Sequence, residues 1–180
     1  SIVGGQLTIE ARNDGIHCEN KDDNTISSIL IMGGSGQLSG DSNGIYSSGA
    51  IFLSDGEYEI IGGSSMVSTV DYSQVAIKAD GAIQVDGGTF FVQTIADGIH
   101  TGTSFLINDG EVTVDSSDDA IHATSALVIN GGTISITADE DGLQSDESLY
   151  ILGGMIEINA KKDGLNAIKK IEIQEGLITI

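Results

Sequence analysis

The sequence has no proline, no tryptophan, a single cysteine and only seven basic residues among 180. With 25 glycines in so short a chain, a bundle of long helices is excluded, because glycine is a poor residue for helix interiors. The lone cysteine, Cys18, allows no internal disulfide and leaves the redox compartment open. Seven bases against 27 acids give a net charge of −20. No basic surface is therefore available to neutralise a phosphate backbone, and nucleic acid is not an expected partner. The same charge repels an anionic polymer or membrane surface unless a divalent cation stands between them. No unbroken apolar run approaches the roughly 20 residues of a helical membrane span, so membrane insertion is not expected. The chain starts at Ser1 with neither Met nor a signal peptide, and reads as a processed segment or a piece of something longer.

What the sequence does contain is a repeat. It reads DGIHTGTSFLINDG at 97–110, DAIHATSALVINGG at 119–132, DGLQSDESLYILGG at 141–154 and DGLNAIKKIEIQEG at 163–176. The anchor aliphatics Ile77, Ile99, Ile121, Leu143 and Leu165 are each 22 residues apart. NGIYSSGAIFLSDG at 43–56 is an earlier copy, and Asp14, Gly15 and Ile16 open another. Longer spacings there place insertions near 18–30, with Asp22 and Asp23, and near 57–74, with Asp71. Within a unit, apolar residues alternate in bursts too short for a helix, separated by Gly, Asp or Asn turns. Three short strands per unit follow. One rung cannot bury its own apolar face, but rungs stacked about 4.8 Å apart close a continuous core.

The expected fold is thus an all-β parallel solenoid of about seven rungs in a single domain over residues 1–180. A β-sandwich would not require this 22-residue registration. The inward columns are Ile16, Ile45, Ile77, Ile99, Ile121, Leu143, Leu165; then Ile51, Ile83, Phe105, Leu127, Leu149, Ile171; then Leu53, Val85, Ile107, Ile129, Ile151, Ile173. A fourth holds Leu7, Phe90, Val112, Ile134, Ile156 and Ile178. Cys18 falls in a column of small residues with Ala79, Thr101, Ala123, Ser145 and Ala167, and reads as a packed thiol rather than a nucleophile.

The first letter of the repeated phrase makes an acidic column: Asp14, Asn43, Val75, Asp97, Asp119, Asp141, Asp163. Carboxylates about 5 Å apart at an effective dielectric near 20 repel by about 3 kcal/mol per pair. A cation relieves this, and an ion between two rungs can reach oxygens of both at about 2.3–2.6 Å. Asp118 beside Asp119, and Asp139 and Glu140 beside Asp141, thicken the column where repulsion is already greatest. Hard oxygen ligands favour calcium over zinc or copper. The expected metal residues are Asp97, Asp118, Asp119, Asp139, Glu140, Asp141 and Asp163. The competing reading is that Asp before Gly merely supplies turn chemistry, its side chain bonding the backbone two residues on. At the far end, Lys161 and Lys162 stand ready to satisfy the acids with ammonium instead.

One residue past each anchor aliphatic lies a polar ladder of His17, Tyr46, Lys78, His100, His122, Gln144 and Asn166. Beside an ion-bearing turn such groups suit sugar hydroxyls or carboxylates, and Lys78, His100, His122 and Gln144 are the candidate ligand-binding residues. A solvated strand face is the plainer alternative. A His100–His122 metal pair alone would be an incomplete zinc site. The exposed column Phe91, Thr113, Ser135, Glu157 offers one aromatic, and the chain has only four Tyr and four Phe. That scarcity favours an acidic polysaccharide such as polygalacturonate over a neutral glycan held by stacking.

Together, the D-G-I-x, L-x-I-N-G-G and T-I-x-I-x-A phrases resemble the carbohydrate-binding β-helix domain family of secreted bacterial proteins, within the pectate-lyase-like superfamily. The resemblance covers 75–180 well and 1–74 loosely. It implies a single-stranded right-handed β-helix, an extracellular or cell-surface location, polysaccharide as partner and calcium as cofactor, held at Asp97, Asp119, Asp141 and Asp163. A lyase on such a fold needs Lys or Arg beside a calcium-bound uronate. Lys78 is the candidate catalytic base, but its rung carries Val75 in place of an acid. A repeating acidic column is also unlike the single asymmetric constellation catalysis requires. The expectation is a non-catalytic binding module, with a calcium-dependent lyase as one alternative. The strand-like phrases at both ends leave a further one, end-to-end self-association into a filament.

Overall fold

The computed structural model describes residues 1–23, 27–63 and 74–180; Asp71 and the cores of both expected insertions lie outside them. Among the described residues there is no helix, and every strand pairing is parallel. Each unit contributes three strands, for example Ile99–Thr101, Phe105–Ile107 and Glu111–Ser116. The first strands of successive units form a seven-stranded sheet whose members bound about six turns of the solenoid. The second and third strands make the other two faces. These merge into one 13-stranded sheet, because in two early units they run on as single 13-residue strands, Ser28–Gly40 and Ala50–Gly62.

Registration follows the repeat. Ile16, Ile45, Ile77, Ile99, Ile121, Leu143 and Leu165 pair in sequence along the short sheet. The interior members Ile45, Ile77, Ile121 and Leu143 are completely buried. On the second face Ile51, Ile83, Phe105, Leu127, Leu149 and Ile171 stack in register. Burying each such side chain contributes about 1.5–3 kcal/mol, and a single rung exposes the same side chains on both of its faces. Stacking is therefore what supplies the stability. In the turn at 163–180 Ile171, Ile173 and Leu177 are 43%, 52% and 65% exposed.

Two segments belong to strands that the spacing alone assigned to insertions. Ile29 and Ile31 pair with Ile51 and Leu53 and extend the second-face columns. Tyr58 enters the fourth column between Gly36 and Phe90, where it is 2% exposed and its hydroxyl donates to the Gly33 carbonyl at 3.0 Å. The extra residues thus narrow to the stretches around 19–27 and 63–74.

The turn between the second and third faces is made by a glycine column, Gly88, Gly110, Gly132, Gly154 and Gly176, with φ between 88° and 119°. That backbone conformation is costly for residues with a Cβ. At Gly110 a Cβ would also stand 2.9 Å from the Gly88 carbonyl oxygen of the previous rung.

Candidate metal and saccharide site

The short sheet carries the site, because the turn entering each of its strands holds the acidic column and the strand itself holds the polar ladder. In this turn the acid's own carbonyl accepts from the rung before it: Gly98 N–H donates to Asp119 O at 2.9 Å, Ala120 to Asp141 at 3.0 Å and Gly142 to Asp163 at 2.8 Å. The side chains add a second ladder. Asp119 Oδ1 accepts the Asp141 N–H at 2.9 Å, and Asp141 Oδ1 accepts the Asp163 N–H at 3.0 Å. Asp14 and Asn43 do the same, accepting from Asn43 and Val75 at 3.1 and 3.2 Å. Turn chemistry is therefore present, but it acts between rungs rather than two residues along the chain. It also occupies only one oxygen of each carboxylate.

Asp97 departs from the pattern. Its Oδ2 faces His100 Nδ1 at 2.9 Å and His122 Nδ1 at 3.8 Å. The two imidazoles meet edge to face with centroids 4.8 Å apart. Two groups of potential ligand atoms converge here, each within 4.8 Å: Asp97, Asp118 and Asp119, and Asp97, His100 and His122. The remaining sequence-predicted acids lie elsewhere. Asp139 pairs with Lys161 at 2.6 Å and Glu140 with Lys162, so the ammonium groups serve the preceding rung rather than Asp163. Asp141 Oδ2 accepts from the Asn166 amide at 2.6 Å, and Asp163 is exposed.

Charge crowding shows in the titration behaviour. Burial, then the charges of Asp97, Asp141 and Asp118, push the Asp119 carboxyl up to about 6 against the hydrogen bond from Asp141. Burial and the charge of Asp97 also raise Asp118. Asp97 is partly buried, which opposes ionisation, yet its hydrogen bond with His100 and the facing ring of His122 hold it below the usual carboxylate range. His122 is raised to about 9, first by the facing Asp97 carboxylate, against burial, and then by its hydrogen bond with Asp146.

The polar ladder is in register from His17 through Tyr46, Lys78, His100, His122 and Gln144 to Asn166. Several of its members turn back toward the acids. With its NH2 facing the carboxylates, as their chemistry requires, Gln144 donates to Asp119 Oδ2 at 2.6 Å and Asp141 Oδ2 at 3.2 Å. Lys78 lies further down, against a shallow cleft of about 240 Å3 lined by Asp14, His17, Asn43, Tyr46 and Asp80. Asp146 and Asp80 were not singled out by sequence reasoning. Asp146 Oδ1 meets His122 Nε2 at 3.1 Å, and Asp80 accepts from the Tyr46 hydroxyl at 2.9 Å. Both stand three residues past an anchor aliphatic, a signal the 22-residue alignment held. On another face, Phe91 is 38% exposed beside a cleft of about 380 Å3 shared with Gln6, Glu57 and Glu59.

Fold and site together define a parallel β-solenoid with an acidic, histidine-bearing face along one sheet. A family described as carbohydrate-binding domain-containing proteins matches residues 1–120 and 103–180, and the chain belongs to that family. No curated protein matches the sequence. Among solved structures, the polysaccharide lyase-like protein from C. thermocellum, as its gadolinium derivative, is similar with a TM-score of 0.51 and 16% identity. The match covers 98% of this chain and 88% of that one, and it shows the fold.

Proposed function

We propose that the protein is a calcium-dependent, non-catalytic module that binds an acidic polysaccharide, such as polygalacturonate, outside the cell or at its surface. Family membership supports a carbohydrate partner. The observation that carries the calcium reading is the convergence of Asp97, Asp118 and Asp119 within 4.8 Å, where burial first and then the neighbouring charges push Asp119 up to about 6. Three carboxylates are hard oxygen donors of the kind calcium takes, and nearby turn carbonyls add to them. When bound, calcium supplies the positive charge that lets an anionic chain approach a protein of charge −20. Asp97, Asp118 and Asp119 would hold the ion, while the ladder residues His100, His122 and Gln144 orient sugar hydroxyls and carboxylates. Lys78 would extend that ladder.

Val75, 3% exposed, fills the acidic-column position of the Lys78 rung, and this supports binding without cleavage. The test is calorimetry of chelator-treated protein with calcium and then polygalacturonate, alongside a spectrophotometric assay for unsaturated products. Unsaturated products would make it a lyase and bring Lys78 forward.

A further inference from the structure

Both ring nitrogens of His122 face carboxylates. Nε2 is 3.1 Å from Asp146 Oδ1, and Nδ1 is 3.8 Å from Asp97 Oδ2. A neutral imidazole has one N–H, so with Nε2–H donating to Asp146 the Nδ1 lone pair points at an anionic oxygen. That contact is favourable only with a positive centre between the two atoms, either a second proton or a metal ion. His100 directs its Nδ1 at the same oxygen from 2.9 Å. Three donors of mixed type therefore close on one point from two adjacent rungs.

We propose that Asp97, His100 and His122 form a binding site for a zinc-class divalent ion, distinct in ligand chemistry from the carboxylate cluster proposed for calcium. Bonds of about 2.0–2.2 Å around a tetrahedron put neighbouring ligand atoms about 3.3 Å apart. The observed 2.9 and 3.8 Å separations straddle that value, so small side-chain rotations suffice. Imidazole is a borderline ligand suited to zinc and poorly suited to calcium. The Asp146 carboxylate fits the role of the partner that orients a metal-bound histidine by taking its other N–H. The pair of histidines that the sequence leaves incomplete is thus completed by Asp97 of the same repeat phrase. Three protein ligands leave a fourth position for water or a sugar oxygen, and the side chains remain 14–28% exposed to receive it. Asp97 is common to both metal groups, and a carboxylate has two oxygens with which to serve both. The inference stands without the calcium reading.

The test uses tag-free full-length protein saturated with calcium, titrated with cobalt(II) as a spectroscopic stand-in for zinc. The expected result is one cobalt per chain, visible ligand-field bands of a low-coordinate nitrogen and oxygen site, and displacement by zinc. H122Q and H100A should each abolish the bands, and D146N should weaken zinc binding by about 10–100-fold. A cobalt titration of the unaltered protein without ligand-field bands would overturn the proposal. So would zinc affinity unchanged in folded H122Q. Cobalt bands retained in D118N, whether or not the protein takes up calcium, would support the proposal, and their loss in folded D118N would overturn it by placing the ion on the carboxylate group.

Discussion

Replacing Asp119 by Asn is expected to stabilise the calcium-free protein. Asp119 is 9% exposed and its carboxyl is raised from 3.8 to about 6, so the ionised form is disfavoured in the folded state. A group whose folded value lies above its unfolded one makes the folded state bind more protons between the two. Stability then falls as pH rises from about 4 to 6, and the full cost persists above that. Two units correspond to about 3 kcal/mol. Asn removes the charge but keeps the acceptor for the Asp141 N–H, the arrangement already found at Asn43, whose Oδ1 accepts from Val75 at 3.2 Å. Gln144 can turn its amide to face the new NH2. Urea unfolding in chelator at about pH 8 should therefore show D119N more stable by about 1–2 kcal/mol, less than the full value because Gln144 also donates to the carboxylate, with the difference vanishing near pH 4. Calcium should reverse the order by stabilising the wild type more. Reduced stability of D119N in chelator at the higher pH would refute the reasoning, because it would mean the carboxylate is favourably paired rather than crowded.

Three further outcomes follow from the same geometry. His122, held at about 9 chiefly by Asp97, contributes stability that is complete below its ordinary 6.5 and is lost as pH rises through 9; in D97N, NMR titration in chelator should find its pKa lower by about one unit or more, and an unchanged value would assign the shift to Asp146. Gly110→Ala forces a Cβ onto a φ of 108°, 2.9 Å from the Gly88 oxygen, and should cost about 1–2 kcal/mol as a lower thermal midpoint, with no change meaning that the turn relaxes freely. Phe105→Ala, at a fully buried position stacked between Ile83 and Leu127, should cost about 3–5 kcal/mol, measured by denaturant unfolding; a loss below about 1 kcal/mol would mean that the rungs collapse into the void.

The solenoid was legible because its core is a stack of like residues at a constant spacing. Ile99, Ile121 and Leu143 can be aligned without knowing anything of their environment. The third-face strand containing Tyr58 was less visible. Its unit is lengthened beyond it, and spacing alone reports how many residues are extra but not on which side of the strand they fall. The acidic column was equally plain as a column, yet its side-chain geometry was not. Asp119 and Asp97 occupy the same register position, but one accepts a backbone N–H from the next rung and the other turns to two imidazoles. Which of these happens depends on the ladder residues above and below, His122 over Asp97's rung and Gln144 over Asp119's. Asp146 escaped notice for the same reason, since its role exists only across rungs.

The central claim, that this acidic face takes calcium and through it an anionic glycan, is tested most directly by one calorimetric experiment. Chelator-treated protein is titrated with calcium, and the loaded and calcium-free forms are then each titrated with polygalacturonate. The account predicts saturable calcium uptake that D118N with D119N removes, and polysaccharide binding by the loaded form only. Polysaccharide binding of equal strength without calcium, or no calcium uptake at all, would contradict it.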